Sequence, residues 1–313
     1  MLRFVGRRLL ATIPVMAMVA VVIFAILRMT PGDPAAIIAG DNATAEQLEG
    51  IRSYMGLDQP IYIQFFMWMA QLLKGDLGVS LISGVPVIGM LADRIGPSLA
   101  LASATIFLTV IVAVPLGVIA AWRQGKLLDR AVMAFSVLGF SLPVFVTSYL
   151  LILFFAIDLG WFPVQGYKPP SAGLWPFLQT LALPTLALST VYIALIARIT
   201  RTSIIEVMGE DYIRTARAKG SKERTVLLRH ALRNAAVPII TIIGVGIAML
   251  ISGVVVTESV FNLPGLGRLV VEAVLARDYP VIQGLILFFS FINIMINLVV
   301  DILYTVFDPR IRY

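Results

Sequence analysis

The stretch that decides the fold runs from Glu206 to Pro238 and reads EVMGEDYIRTARAKGSKERTVLLRHALRNAAVP. It is densely charged, it carries the only histidine of the chain, His230, and long apolar runs leave it in both directions. A charged segment between apolar runs is typical of a loop at a membrane surface. We therefore expect this stretch to lie in water on one side of a membrane.

The composition of the whole chain agrees with a membrane location. Of the 313 residues, 59% are hydrophobic and 13% are charged, and the mean hydropathy is +0.94. These values lie outside the range of soluble domains and predict an all-α membrane protein. The formal charge of +6 indicates cytoplasmic loops rather than a nucleic-acid partner, because lysine and arginine collect on that side of a membrane. The absence of cysteine excludes disulfides and thiolate metal sites.

Uncharged runs near the length of a bilayer span, about 20 residues, can be counted directly. Several of them contain proline, which kinks a membrane helix without necessarily breaking it, so each run is predicted to be one whole helix. The first run is predicted to be a membrane anchor, since it is too long for the apolar part of a signal peptide. The six predicted spans are Leu9–Leu27, Leu99–Trp122, Ala131–Ile157, Leu174–Ala197, Ala235–Thr257 and Tyr279–Val300.

The positions of lysine and arginine predict the orientation. Three precede the first run, three follow the second, nine lie between Arg198 and Arg233, and two follow the last run, which is 17 of the 24. This bias places both termini in the cytoplasm. The predicted segments are an N-terminus with the first helix (1–28), a periplasmic cap (29–94), a five-helix domain (95–306) with a cytoplasmic loop at 201–236, and a cytoplasmic tail (307–313).

The predicted periplasmic cap contains one apolar helical pattern, Ile61 to Leu73. Ile61, Phe65, Trp68 and Leu72 share one helical face, and thirteen residues are too few for a span. Two interpretations remain open. The segment is either a helix lying at the outer membrane interface or a buried helix of a small outer domain.

Motifs for catalysis and for ion coupling are missing from the sequence. There is no GxxxxGK[ST] run to cradle phosphate and no HExxH pair, and His230 stands alone. Ion-coupled carriers generally place carboxylates or histidines inside their spans, and the six apolar runs have almost none. We therefore predict that the chain is not an enzyme, holds no cofactor and takes its driving force from elsewhere.

The charged stretch itself predicts a short helix followed by a stop. Glu210 and Asp211 favour a helix start, no residue breaks the helix up to Lys219, and Gly220 ends it. Ser221 is the candidate N-cap of the next helix. Small residues (Ala216, Ala218 and Gly220) and cations (Arg214, Arg217 and Lys219) suit a docking element for another protein. The alternative is a basic helix resting on anionic membrane lipid, which explains neither the acidic pair nor the glycine.

A polar stripe in the last apolar run gives a second candidate site. Asn293, Asn297 and Asp301 are four residues apart, so they share a helical face. Polar groups at membrane depth face protein or water. They either line a translocation path or form hydrogen bonds between helices.

The charged stretch resembles a known family. The order Arg214-Thr215-Ala216, three residues, Gly220 and then Pro238 is similar to the E-A-A-x-x-x-G...L-P loop of permease subunits of binding-protein-dependent ATP-binding-cassette (ABC) importers. Arginine stands here in the glutamate position and threonine in that of the first alanine. The segment DYIRTARAKG...LRHALRNA..P is similar to the corresponding loop in the peptide-importer branch of this family. Three further motifs are also similar to that branch: Gly75-Asp76-Leu77-Gly78, Pro264-Gly265-Leu266-Gly267-Arg268 and Arg277-Asp278-Tyr279-Pro280.

This resemblance implies the fold and the partners. It implies a type I ABC importer permease in the bacterial inner membrane that pairs with a second, homologous permease, two ATPase subunits that bind ATP and Mg, and a periplasmic solute-binding protein. The implied substrate is a dipeptide, an oligopeptide or a glutathione-like peptide, with nickel or a nickel chelate as the alternative. An ion-coupled carrier and a non-transporting assembly subunit are the rival classes. The implied coupling helix comprises Glu210, Asp211, Tyr212, Arg214, Thr215, Ala216, Arg217, Ala218, Lys219 and Gly220.

Overall fold

A computed structural model describes residues 2–29, 35–36, 44–54 and 56–307. Within these residues the chain is helical, apart from one isolated β-bridge between Val79 and Pro86. The longer helices are α1 (Leu2–Met29), α2 (Ala45–Tyr54), α3 (Ile61–Leu73), α4 (Val87–Trp122), α5 (Leu127–Ser141), α6 (Val144–Leu151), α7 (Leu174–Met208), α8 (Asp211–Ala218), α9 (Glu223–Asn234), α10 (Ala236–Val260), α11 (Leu266–Ala276) and α12 (Tyr279–Phe307). They form two compact units, Met1–Gly96 with Arg268–Ile294, and Pro97–Gly267 with Met295–Tyr313.

In the first unit, α3 packs along α1 through aromatic side chains. The Phe24 ring lies 5.2 Å from the Phe65 ring and 5.6 Å from the Trp68 ring, measured between centroids. No residue of α3 is buried, so the interpretation as the buried helix of an outer domain is wrong. Its position at the outer membrane interface stays a prediction.

A polar contact joins the loop before α4 to the turn before α12, also within the first unit. Ser80 Oγ donates to one oxygen of Asp278, and the Leu81 N–H donates to the other at 3.1 Å. Both Ser80 and Asp278 are buried, so the hydrogen bonds satisfy groups that water does not reach. The motifs that hold Gly78 and Pro280 lie side by side at this contact, since a Cβ on Gly78 would lie 3.6 Å from Pro280.

In the second unit, α7 is the central helix. Of its most apolar window, 72% is buried, whereas only 11% of the corresponding window of α12 is buried. Small residues let neighbouring helices approach it closely. A Cβ on Gly117 of α4 would lie 2.6 Å from the carbonyl oxygen of Ala197, and a Cβ on Gly139 of α5 would lie 3.2 Å from Ala194.

The third predicted span is not a single helix. α5 and α6 meet at an angle of 104°, with Leu142 and Pro143 at the corner. The prediction of an unbroken helix from Ala131 to Ile157 is therefore wrong. Proline lacks an N–H and disfavours the helical conformation of the residue before it, and Leu142 is extended, with ψ of 123°. Other prolines also fall within predicted spans. Pro14, Pro115 and Pro184 lie inside continuous helices, as the prediction of whole helices requires.

Helix length and composition give three clear spans in the described residues, α4, α7 and α12. The bent pairs α5 with α6 and α9 with α10 raise the number to five, and α1 adds the shorter apolar helix Leu10–Ile26. The count of six spans stays a prediction. Several helices extend past their apolar runs; α4, for example, begins at Val87, and α7 continues to Met208.

The predicted segment boundaries also stay predictions. The tail at 308–313 and the turn at Pro31 to Pro34 lie outside the described residues.

Candidate functional site

The predicted docking helix is present as α8 and has well-defined ends. Glu210 is its N-cap in an extended conformation, Asp211 lies in the first turn and Arg217 in the last, so both charges favour the helix dipole. After the helix, Gly220 adopts a left-handed φ of 81°.

Two hydrogen bonds complete the C-terminal stop of α8. The Gly220 N–H donates to the Arg217 carbonyl at 2.9 Å, and the Ser221 N–H donates to the Ala216 carbonyl at 3.2 Å. This is the Schellman pattern, which needs a left-handed residue and favours glycine there. The stop that the sequence predicts at Gly220 is thus confirmed. The predicted N-cap of the next helix is one residue off, because Lys222 and not Ser221 precedes α9.

One buried side chain fixes α8 to the protein. Ile213 is 0% exposed and belongs to an apolar cluster with Ile204 of α7 and Val226 of α9. Burial of an isoleucine side chain contributes about 1.5–3 kcal/mol. Of the three small residues predicted for the docking surface, Ala218 and Gly220 are exposed, whereas Ala216 is half-buried and packs against the same cluster.

The remaining residues of α8 face solvent. Tyr212 is 44% exposed, and partial burial of its ring, followed by the charge of Glu210, raises the pKa of its hydroxyl. The hydroxyl is therefore protonated at neutral pH and is able to donate a hydrogen bond.

The charges around α8 are arranged differently from the sequence prediction. Arg214 Nη1 pairs with Asp211 at 3.1 Å, and Arg217 Nε pairs with Glu223 at 2.8 Å. Both arginines that we assigned to a partner's acidic groups are thus engaged within the chain. Lys219, Lys222 and Arg224 are exposed and have no ion pair among the described residues, so they are the cations available to a partner.

A buried ion pair braces the helix that leads into α8, and the sequence prediction missed it. Asp129, in the first turn of α5, accepts two hydrogen bonds from the Arg201 guanidinium of α7, one of them at 2.8 Å from Nη2. It also accepts the N–H of Gly125 at 2.8 Å. Asp129 is 3% exposed. The only sequence signal was an acidic residue in the first turn of a helix. Such a residue does not indicate a buried ion pair, because it also favours the dipole of a helix on the protein surface.

A second buried carboxylate lies at the far end of α10. Glu258 is 0% exposed and accepts the Ser98 hydroxyl at 2.5 Å, while Ser98 Oγ accepts the Leu266 N–H at 2.8 Å. Glycine is required beside it, because a Cβ on Gly265 would lie 2.1 Å from Glu258 Oε1. The predicted span ended at Thr257, one residue short of this group.

The polar stripe lies on α12. Asn293 and Asn297 are exposed, Asp301 is half-buried, and each of the three has an interaction partner. Their spacing places them on one face of the helix. The geometry is compatible with both interpretations, a path lining and packing contacts, so the assignment to a path stays a prediction.

The described helices define a class of protein, a multi-pass membrane component. Comparison with known proteins gives the family. Residues 113–313 match the family described as "Binding-protein-dependent transport system inner membrane component", and residues 1–102 match "Binding-prot-dependent transport system membrane comp, N-term".

Two curated relatives match along nearly their whole length. The "Probable peptide ABC transporter permease protein y4tP" of Sinorhizobium fredii is 52% identical over 310 residues, which is 99% of each chain. The "Glutathione transport system permease protein GsiC" of Escherichia coli strain K12 is 45% identical over 313 residues, 100% of each chain.

A solved structure supports the fold. A chain of the inward-facing MetNI methionine ABC transporter superposes with a TM-score of 0.59 at 16% identity, covering 71% of this chain and 97% of the other. At this identity the likeness shows the fold alone.

This chain belongs to the family of inner membrane components of binding-protein-dependent transport systems. It has the type I ABC importer permease fold and is a non-catalytic membrane subunit that works with separate ATPase and solute-binding subunits.

Proposed function

We propose that this chain is one of two homologous permeases of a peptide importer, in which two ATPase subunits bind ATP and Mg below it and a periplasmic binding protein delivers the peptide. Both termini lie in the cytoplasm, as the lysine and arginine bias predicts. The names of the relatives, a peptide and a glutathione permease, support the substrate class. The uncovered face of α12 supports a second permease, since only 11% of its apolar window is buried in this chain.

The observation that carries the proposal is the construction of α8. It is a short helix with a fixed start and stop, an exposed outer face, and a single buried anchor, Ile213, between α7 and α9. The stop keeps the exposed face in one orientation, and Ile213 joins the helix to α7 and α9. Both features suit a helix that transmits motion from another subunit.

The contacts around α8 provide a route for the motion. Displacement of α8 acts on α7 through Ile213 and Ile204, and α7 is joined to α5 by the Asp129–Arg201 pair. The close approach of α4 and α7 at Gly117 leaves no room for independent sliding. ATP-driven closure of the ATPases therefore moves these helices together and exposes the path alternately to the two sides.

A bulky side chain on the outer face of α8 tests this mechanism. Thr215→Trp enlarges a residue that faces the proposed partner, and Thr202→Trp on α7 is a matched control. Both threonines are exposed, and both donate to the carbonyl four residues earlier, at 3.0 Å and 3.1 Å.

In proteoliposomes that contain the whole transporter, Thr215→Trp should reduce ATP-dependent uptake at least tenfold, the equivalent of about 1.4 kcal/mol, and should lower ATP hydrolysis stimulated by the binding protein. Thr202→Trp should retain both activities. Normal uptake by the Thr215 variant would show that α8 is not part of the coupling route.

A ligand screen on the binding protein that compares peptides with nickel tests the substrate separately.

A further inference from the structure

An elongated groove lies between α1 and the corner that joins α11 to α12, wholly within the first unit. Its volume is about 630 Å³. The walls are almost entirely aliphatic, with Met18, Val22, Ile23 and Ile26 on one side and Ile282 and Ile286 on the other. The proposed transport mechanism uses none of these residues.

The dimensions of the groove match one leaflet of a bilayer. On α12 it runs from Tyr279 to Ser290, which at 1.5 Å per residue is about 16 Å. On α1 it runs from Met18 to Ile26, about 12 Å. The hydrocarbon core of a bilayer is about 30 Å thick, so each leaflet occupies about 15 Å.

Polar groups collect at one end of this apolar groove. Arg277 lines it and is exposed, and no ion pair of Arg277 occurs among the described residues. The neighbouring carboxylate, Asp278, is engaged by Ser80 Oγ and the Leu81 N–H instead. Tyr279 also lines the groove, is only 8% exposed, and its hydroxyl has no hydrogen-bond partner in the described part of the chain. That hydroxyl is buried, so Arg277 is the polar group at this end of the groove that is exposed to a ligand.

We propose that the groove binds one anionic phospholipid, with an acyl chain along the aliphatic walls and the phosphate at Arg277. The aliphatic lining and the length select a hydrocarbon chain. The exposed cation at one end of the groove selects a negatively charged headgroup.

Two other occupants have to be distinguished from lipid. A transmembrane helix of another subunit would place protein against Val22, which photocrosslinking from that position detects. An extended peptide requires backbone hydrogen-bond partners along its length. The lining offers polar side chains only at Arg277, Tyr279 and Ser290.

Native mass spectrometry of the complete transporter in mild detergent tests the proposal without relying on transport. The probes are phosphatidylglycerol and phosphatidylethanolamine with identical acyl chains, added in equal amounts. Arg277→Asn removes the charge while tolerating the left-handed φ of 55°. Lys74→Gln removes an exposed cation of the same unit that does not line the groove.

A second pair of variants tests the aliphatic part. Val22→Trp fills the groove, and Val21→Trp is the matched control. Val22 lines the groove and Val21 does not, and their side chains are similarly exposed, 49% for Val22 and 51% for Val21. Both side chains are half exposed, so we expect a large side chain to fit at either position without unfolding the chain.

The expected result is one strongly retained phosphatidylglycerol per permease. Arg277→Asn should weaken its retention about fivefold, the effect of removing one cation near a lipid surface, and Val22→Trp should abolish it. The two controls should leave it unchanged. Equal retention of both lipids in all variants would show ordinary surrounding lipid only and would overturn the proposal, as would photocrosslinking from position 22 to another subunit instead of lipid.

Discussion

At the scale of single residues, the described part of the chain contains three buried carboxylates that connect distant segments. Asp129, Glu258 and Asp278 are each at most 4% exposed, and each accepts hydrogen bonds from a residue distant in sequence. A buried carboxylate is stable only when it is paired or hydrogen-bonded, so the partners are as necessary as the acids. Each one joins segments that hydrophobic periodicity alone does not bring together.

Removing the charge of Asp129 should destabilise the second unit. Asp129→Asn leaves Arg201, whose side chain is 22% exposed, without its carboxylate and should cost about 3 kcal/mol. Asp211→Asn is the control, because the Asp211 side chain is 94% exposed and surface pairs contribute about 0–1 kcal/mol. The measurement is the thermal unfolding midpoint of the purified transporter. Equal midpoints for the two variants would show that the buried pair does not brace α7.

Adding one methyl group at Gly265 should disrupt the Glu258 site. The new Cβ would lie 2.1 Å from the carboxylate oxygen, so Gly265→Ala must displace either the turn or Glu258 and should lower the unfolding midpoint by several degrees. Gly96→Ala lies in α4 with nothing within 4 Å of the added Cβ, and should be neutral or slightly stabilising. If Gly265→Ala unfolds at the wild-type temperature, the close approach is not a constraint.

At the scale of elements, the helices that the sequence predicts best are those with local signals at both ends. α3 runs from Ile61 to Leu73 as its pattern predicts, and α8 ends at the glycine that its sequence supplies. The corner at Pro143 was not predictable from composition. The prolines at 14, 115 and 184 lie inside continuous helices, and packing decides which proline becomes a break.

The stop of α8 can be tested at Gly220. Gly220→Ala forces a Cβ into the left-handed region and should cost about 1–2 kcal/mol, which should fray the last turn. Amide hydrogen exchange in residues 216–220 should accelerate, and the ATPase subunits should copurify less well. Gly220→Asn should retain most of both properties, because asparagine tolerates this conformation. Identical exchange in the alanine and asparagine variants would argue against the backbone explanation.

At the scale of the whole molecule, sequence reasoning predicted the class of protein and the position of the short helix α8 but not the polar pairs. Apolar runs and the glycine stop are local patterns, which a single sequence displays. The pairing of Asp129 with Arg201, or of Ser98 with Glu258, depends on which helices become neighbours. No spacing rule within one element gives that information.

Transport measurements decide the role of the stripe on α12. If Asn297 and Asp301 line the path, the double replacement Asn297→Ala with Asp301→Ala should lower uptake at least tenfold, about 1.4 kcal/mol, with little change in the unfolding midpoint. Asn293→Ala applies the same test to the residue one helical turn before Asn297. Normal uptake with a lowered midpoint would assign these side chains to helix packing.

The hydrogen bonds that close the end of α8 have a consequence for assembly. Because the Gly220 and Ser221 amides have partners within the chain, the end of α8 needs no hydrogen bond from another subunit to close it. On the proposed function, an ATPase that binds α8 would therefore lose little conformational entropy in ordering it, and more of the contact energy would remain as affinity. Assembly would then not have to wait for this segment to fold.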